Sequence, residues 1–410
     1  MTGRKILLNT AFLLFSVSVF AQFSLQGEIR PRAEYRHGFQ SLIAEDEDAA
    51  MFVSQRSRLN FGYTVPEVTV FISLQDVRVW GEVAQLNRSD MNASIHEAWA
   101  QFPIFTNAML KLGRQELILD NSRILGNVDW AQQARSHDMA LLQWKPSDAF
   151  QIRTALAYNQ ERENRTSTLY TLNNYKALQL AWMNYRLNQT SLSFLLLNIG
   201  NQFGTDQILY NQTFGPFVSH NAERFKLEAA AYLQTGKDNL DRDVSAWYSG
   251  IEISAPIAAS WTARAGFEML SGTDMDEPSK NNSFTPHFGT NHRFNGHMDY
   301  FYVGNHINNV GLRDAFLGAN YAAQNWGLML AFHSFWADAQ ILDPANNPMK
   351  AFLGNELDLM LSYNINQAVA LRLGYSQMWA TESMQRLKGG SKAQTQNWAW
   401  AMVIIKPKFI

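Results

Sequence analysis

Polar and apolar residues alternate one by one from Leu25 to Arg36. Gln26, Glu28, Arg30, Arg32, Glu34 and Arg36 hold one parity, and Leu25, Gly27, Ile29, Pro31, Ala33 and Tyr35 hold the other. Side chains of a strand point to opposite faces in turn, so a period of two predicts a strand with one charged face and one apolar or small face. Such a strand needs two solvents. They are core and bulk water in a soluble sandwich, or lipid and a wet lumen in a membrane barrel.

The alternation recurs along the chain. Phe225, Leu227, Ala229, Ala231 and Leu233 alternate with Lys226, Glu228, Tyr232 and Gln234, and Leu357, Leu359 and Leu361 with Glu356, Asp358 and Ser362. About 18 such segments are predicted, the first over 24–36 and the last over 395–406. Connections after even-numbered segments are short and mostly rich in Pro, Asn or Asp, as at 65–67, 103–107, 146–148 and 365–367. Those after odd-numbered segments are mostly long: 37–51, 118–135, 160–173, 272–310, 337–354 and 381–394. The connection at 202–207 is shorter than this rule requires.

Tandem soluble sandwiches predict similar loops at both ends. Alternating short and long ends predict an all-β, transmembrane antiparallel β-barrel with short periplasmic turns and long outer loops. Length agrees, because about 11 residues rise roughly 36 Å, or about 28 Å along the barrel axis at a tilt near 40°. Phase slips near Gln75–Asp76 and Gly113–Arg114 predict bulges.

Composition narrows the choice. Of 410 residues 46% are hydrophobic and 13% aromatic, yet after Gln22 no apolar run approaches the ~20 residues of a spanning helix. Closed barrels are the other spanning solution. Arg4 and Lys5 precede the apolar stretch Ile6–Phe20, and Val19-Phe20-Ala21 supplies a cleavage pattern, so residues 1–21 read as a secretory signal peptide. Residues 22–410 then form a single barrel domain in a Gram-negative-type outer membrane, with lipid as its first partner. The aromatic and apolar last strand, ending in Phe409-Ile410, suits the outer-membrane insertion machinery. The absence of cysteine excludes disulfides and thiolate zinc sites, and a net charge of -2 gives no sign of a nucleic-acid partner.

In a barrel of this size function resides in what lines the lumen. Arg30, Arg32, Arg36, Arg56 and Arg58 share the inward parity, with Arg78, Lys111, Arg114, Arg153, Arg264 and Arg372 as further candidates. Guanidinium groups bind carboxylates through paired donors, so an arginine-lined tunnel favours anionic solutes. The competing reading is an interior ion-pair ladder in which Glu28, Glu34, Asp76, Glu97 and other carboxylates neutralise the arginines.

Several blocks carry a resemblance. Gly113-Arg114-Gln115-Glu116, Asp120–Gly126, Trp130 and Arg135-Ser136-His137-Asp138 resemble the core of the alginate-export family of outer-membrane channels. So do Gly27–Arg36, Ser54–Leu59 and the block Phe288–Gly296 with Asp299-Tyr300-Phe301. The resemblance implies an 18-stranded barrel that passes an anionic polyuronate such as alginate through an electropositive constriction. It assigns the solute path to Arg30, Arg32, Arg56, Arg58, Arg114, Arg123 and Arg135, with Asp138 and Glu97 as lumenal partners. No cofactor, metal or catalytic residue is implied.

Two alternatives stand beside this one. One is a general diffusion porin without substrate specificity. The other is a barrel enzyme using His287, His292, His297, His306 and Asp299, which concentrate in the outer loop 272–310 but match no catalytic or metal motif. A structured loop folding over the mouth is the preferred reading of those residues. The tryptophans, Trp80, Trp99, Trp182, Trp326, Trp398 and Trp400 among them, read as interfacial girdle residues or as a sugar-stacking track.

Overall fold

The computed structural model describes residues 22–87, 89, 93–302, 304–306 and 309–410. The leader expected at 1–21 lies outside the described residues. Nineteen strand segments follow in order: β1 Gln22–His37, β2 Ala50–Val65, β3 Val68–Val79, β4 Ala93–Phe105, β5 Ala108–Gln115, β6 His137–Trp144, β7 Phe150–Tyr158, β8 Ala177–Leu187, β9 Thr190–Phe203, β10 Gln207–Asn221, β11 Lys226–Lys237, β12 Asp243–Ala258, β13 Trp261–Leu270, β14 Lys280–Asn281, β15 Leu312–Ala323, β16 Trp326–Trp336, β17 Phe352–Asn364, β18 Val369–Ala380 and β19 Gln396–Ile405. The two-residue β14 is a parallel rung beside β12. The other 18 strands pair antiparallel with their neighbours, and β1 closes the ring on β19 with Arg32 opposite Met402 and Arg36 opposite Trp398.

The loop rule holds except at two short outer connections, three residues between β9 and β10 and five between β11 and β12. Beyond β19 the chain turns back along β1, where the amide of Gly27 donates to the carbonyl of Pro407 and that of Phe409 to the carbonyl of Leu25. The outer wall is apolar because each strand turns its hydrophobic parity outward: Ile29 and Tyr35 on β1, Leu330 and Phe332 on β16, Leu373 and Tyr375 on β18 are all exposed. On β16 the outward residues Trp326 and Trp336 lie at opposite ends of the strand. Their ten-residue separation gives about 33 Å along the strand and about 25 Å across the membrane at a tilt near 40°. That matches the apolar band between two aromatic girdles.

One of the two expected bulges falls close to its place, and the other is absent. The pairing of β3 with β4 shifts between Ser73 and Leu74, which makes His96 of β4 the extra residue. Gly113 takes a left-handed φ of 118°, where a Cβ would lie 2.3 Å from the Ala98 carbonyl, yet the ladder there stays in register.

The lumen is filled from outside by its own loops. Leu117, Leu119, Ile124 and Leu125 from the loop after β5, and Phe284, Met298, Tyr300 and Phe301 from the loop after β13, are buried in one apolar cluster. The two loops join through backbone bonds: Gly126 N donates to the Phe288 carbonyl at 2.9 Å, and Phe288 N to that of Ile124 at 3.1 Å. A third loop, between β18 and β19, carries the helix α1, Glu382–Lys388, whose first turn is capped by the Thr381 hydroxyl accepting from Met384 N. The described part of the expected outer loop 272–310 is therefore a structured plug inside the barrel, with backbone bonds such as Gln40 N to the Met298 carbonyl at 2.9 Å and Thr273 N to that of Asn309 at 3.0 Å.

Candidate functional site

The inward parity of β1 and β2 places Arg30, Arg32, Arg36, Arg56 and Arg58 side by side, with Arg30 directly across from Arg56. Arg30, Arg32 and Arg56 are almost fully buried, so each needs partners. Glu28 sits between Arg56 (2.6 Å) and Arg30 (3.9 Å). Glu34 accepts from Arg32 at 2.8 Å and Arg36 at 2.9 Å. Asp129, from the loop after β5, bridges Arg56 (2.8 Å) and Arg30 (3.3 Å).

The same loop adds its backbone. Five consecutive carbonyls lie on the arginines: Asp129 (2.9 Å) and Ala131 (3.3 Å) accept from Arg30, Trp130 (2.7 Å) from Arg32, Gln132 (3.4 Å) from Arg56, and Gln133 (3.4 Å) from Arg58. The Gln132 amide oxygen accepts twice from Arg30 and its nitrogen donates to the Ser54 hydroxyl. The Trp130 indole lies under the Arg32 guanidinium at 4.1 Å and packs on Trp398, Trp400 and His292. Residues 129–133 are thus a strap laid along an arginine ladder. Asp129 and Gln132 were invisible to sequence reasoning, since the stretch 127–134 has no periodicity and its partners are about a hundred residues away.

The other expected site residues divide. Arg123 is buried and bonds the plug together, donating to Asn291 and Asn295 and pairing with Glu268 of β13 at 2.8 Å. Arg135 donates to the Gly289 carbonyl at 3.2 Å, and among the described residues no carboxylate comes within salt-bridge distance of it. Burial draws its guanidinium down to about 10, so it stays charged at neutral pH. It borders two cavities, one of about 650 Å³ shared with Arg32, Arg36 and Asp299, the other of about 950 Å³ shared with Lys237 and Asp238. Glu97 accepts from the Trp99 indole and the Glu116 amide on the lumenal side of β4.

Arg114 and Asp138 correct the expectation of a lumenal position. They pair with each other at 2.7 Å, both well exposed, on the parity of the outward Leu112; the lumen-facing neighbours are the fully buried Gln115 and the buried Met139. Strict alternation past Leu112 dictates this, and the two charges neutralise each other at the outer end of β5. The tryptophans are corrected similarly: Trp182, Trp398 and Trp400 are buried inward, while Trp80, Trp326 and Trp379 are exposed. The loop histidines serve packing, with His292 bonded to Asp299 at 2.8 Å and stacked on Trp130.

The family model described as alginate export matches residues 21–398. The chain belongs to the alginate-export family. Among curated proteins no sequence matches it. Among solved structures this alginate-export member is similar to Acinetobacter baumannii OccAB4, with a TM-score of 0.65 at 12% identity over 95% of this chain and 98% of that one. It is also similar to Pseudomonas aeruginosa OpdO (TM-score 0.64, 16% identity, 95% and 98%) and to the outer membrane protein opdK of the same organism (0.61, 12%, 95% and 99%). At such identities the likeness shows the fold alone. Family and fold together make the protein a solute channel of the Gram-negative outer membrane and not an enzyme.

Proposed function

We propose that the channel passes anionic solutes, with uronate oligomers or polymers such as alginate as the best-fitting class. One observation carries this reading. Five arginines on the inner face of β1 and β2 meet only three carboxylates within salt-bridge distance among the described residues, Glu28, Glu34 and Asp129. Five cations against three anions leave an excess of two positive charges, and Arg135 adds a third. The excess positive charge behind the strap raises the local anion concentration, and Arg36 and Arg135, which border the cavity of about 650 Å³, are the guanidiniums placed to meet a carboxylate.

Reversal potentials in planar bilayers under a salt gradient test the sign, with clear cation selectivity as the refuting result. Block of the current by polyuronate oligomers at concentrations where neutral sugars leave it unchanged tests the solute class. The strap over the ladder favours a second reading, a general diffusion porin whose arginines only anchor a loop. In that case uronates and neutral sugars of equal size block alike. The leader at 1–21 and the aromatic last strand are further parts of the proposal, routing the chain through export and the outer-membrane insertion machinery to its lipid environment.

A further inference from the structure

The bulge in β4 has a chemical consequence at the root of the strap. In a regular strand His96 and Glu97 would face opposite sides, but the extra residue puts both toward the lumen, and bulges re-aim side chains in this way. Glu116, which follows the last residue of β5 and opens the loop that carries the strap, comes to meet them. Its carboxylate lies 2.9 Å from His96 Nε2, and its backbone amide donates to Glu97 Oε2 at 3.0 Å. One ligand atom from each of the three residues lies within 4.8 Å of the others.

We propose that His96, Glu97 and Glu116 form a zinc site that tethers the strap-bearing loop to the barrel wall. Three features support it. An imidazole nitrogen with two carboxylates and no thiolate suits Zn²⁺ better than Ca²⁺, which takes six to eight oxygens. The carboxylates are already oriented by outer donors, as in metal sites: the Trp99 indole holds Glu97 at 3.1 Å and Asn127 Nδ2 holds Glu116 at 2.8 Å. Independently, the Ser73 hydroxyl has no hydrogen-bond partner although the residue is only 1% exposed, and Ser73 stands directly across from Glu97 on the same lumenal face. A buried hydroxyl left unbonded beside this cluster is the group a fourth ligand, or a water on the ion, would satisfy.

The geometry is near what an ion needs. Ligands about 2.0–2.1 Å from a tetrahedral zinc stand roughly 3.3 Å apart, so the His96–Glu116 contact opens by a few tenths of an ångström and the third group swings inward. Glu116 and Asn127 both belong to the loop, whereas His96 and Glu97 belong to the wall. A bound ion therefore holds the loop closed on the arginine ladder.

The test uses the full barrel, freed of metal by chelation and folded in detergent, titrated with Zn²⁺ by calorimetry. One equivalent is expected to bind. His96→Gln, which keeps a donor for Glu116, and Glu97→Gln are each expected to weaken binding by about tenfold or more, while Glu382→Gln in the outer helix leaves it unchanged. Zn²⁺ is also expected to slow proteolysis within residues 116–136 of the unsubstituted protein. Folding of each variant is read separately from heat-modifiable gel migration, and either folded variant decides the question. Absence of Zn²⁺ binding, or equal affinity in a folded His96→Gln or Glu97→Gln protein, overturns the proposal. Neither readout depends on which solute the channel passes.

Discussion

Asp129→Asn removes one charge from the ladder and little else. The carboxylate now lies 2.8 Å from Arg56 and 3.3 Å from Arg30, and its side chain is 48% exposed, so it faces both the arginines and lumenal water. Replacing it moves the local count from five cations and three anions to five and two. A monovalent ion passing roughly 8 Å away in water-like dielectric feels about 0.5 kcal/mol per unit charge. Screening at 0.1 M salt, with a Debye length of about 10 Å, reduces this to roughly 0.2 kcal/mol. Anions gain that amount and cations lose it, so the anion-to-cation permeability ratio is expected to rise about twofold. At 1 M salt, where the Debye length is about 3 Å, the difference vanishes. Reversal potentials in planar bilayers at the two salt levels measure both numbers. An unchanged ratio at 0.1 M, or a shift toward cations, would show that the ladder does not border the conducting path.

Three further outcomes follow from the plug. Arg123→Met leaves Glu268 buried without its cation, which costs about 3–5 kcal/mol and lowers the temperature at which the compact gel band converts to the unfolded one. Arg123→Lys restores little because one ammonium cannot serve Asn291, Asn295 and Glu268 together, and an unchanged conversion temperature in both variants refutes the role. Trp130→Ala removes the packing on Trp398 and Trp400 and should cost about 3–5 kcal/mol locally, seen as larger single-channel conductance and faster cleavage within 116–136. Burial draws the imidazoles of His287 and His297 down to about 4 and that of His306 to about 3. An unfolded loop takes up protons near pH 6.5 while the packed one does not, so plug stability is full above that pH and falls on acidification toward 4, by on the order of 1–2 kcal/mol per histidine at pH 5. Proteolysis of the loop after β13 should accelerate between pH 7 and 5, and a flat profile would contradict this.

Much of the barrel is legible in the sequence. All 18 long strands, the alternation of short and long connections, and the inward parity of Glu28, Arg30, Arg32, Glu34, Arg56 and Arg58 follow from a period of two read against two solvents. Those features are local, because a strand's pattern depends on its own residues and on whether each side meets lipid or polar surroundings. The position of Arg114 was misread: a phase slip at Gly113–Arg114 would have turned it inward with Lys111, but the ladder stays in register and Arg114 keeps the outward parity of Leu112.

Other features depend on distance in the chain. The strap 129–133 has no period, and its grip on Arg30, Arg32, Arg56 and Arg58 exists only because the barrel closes around the loop. The inward turn of Trp182, Trp398 and Trp400 requires partners such as Asp120 and Trp130 that stand well removed in sequence. Whether the arginines form an open tunnel or an ion-pair ladder was likewise beyond the sequence. The structure supplies a mixture, Glu28, Glu34 and Asp129 neutralising part of the charge and loop carbonyls occupying the rest. The sequence by itself determined the barrel, its two faces and which arginines point inward, since alternation is a one-dimensional signal. Tertiary structure decided what those arginines touch, since long-range loop packing leaves no regular mark on the residues that take part in it.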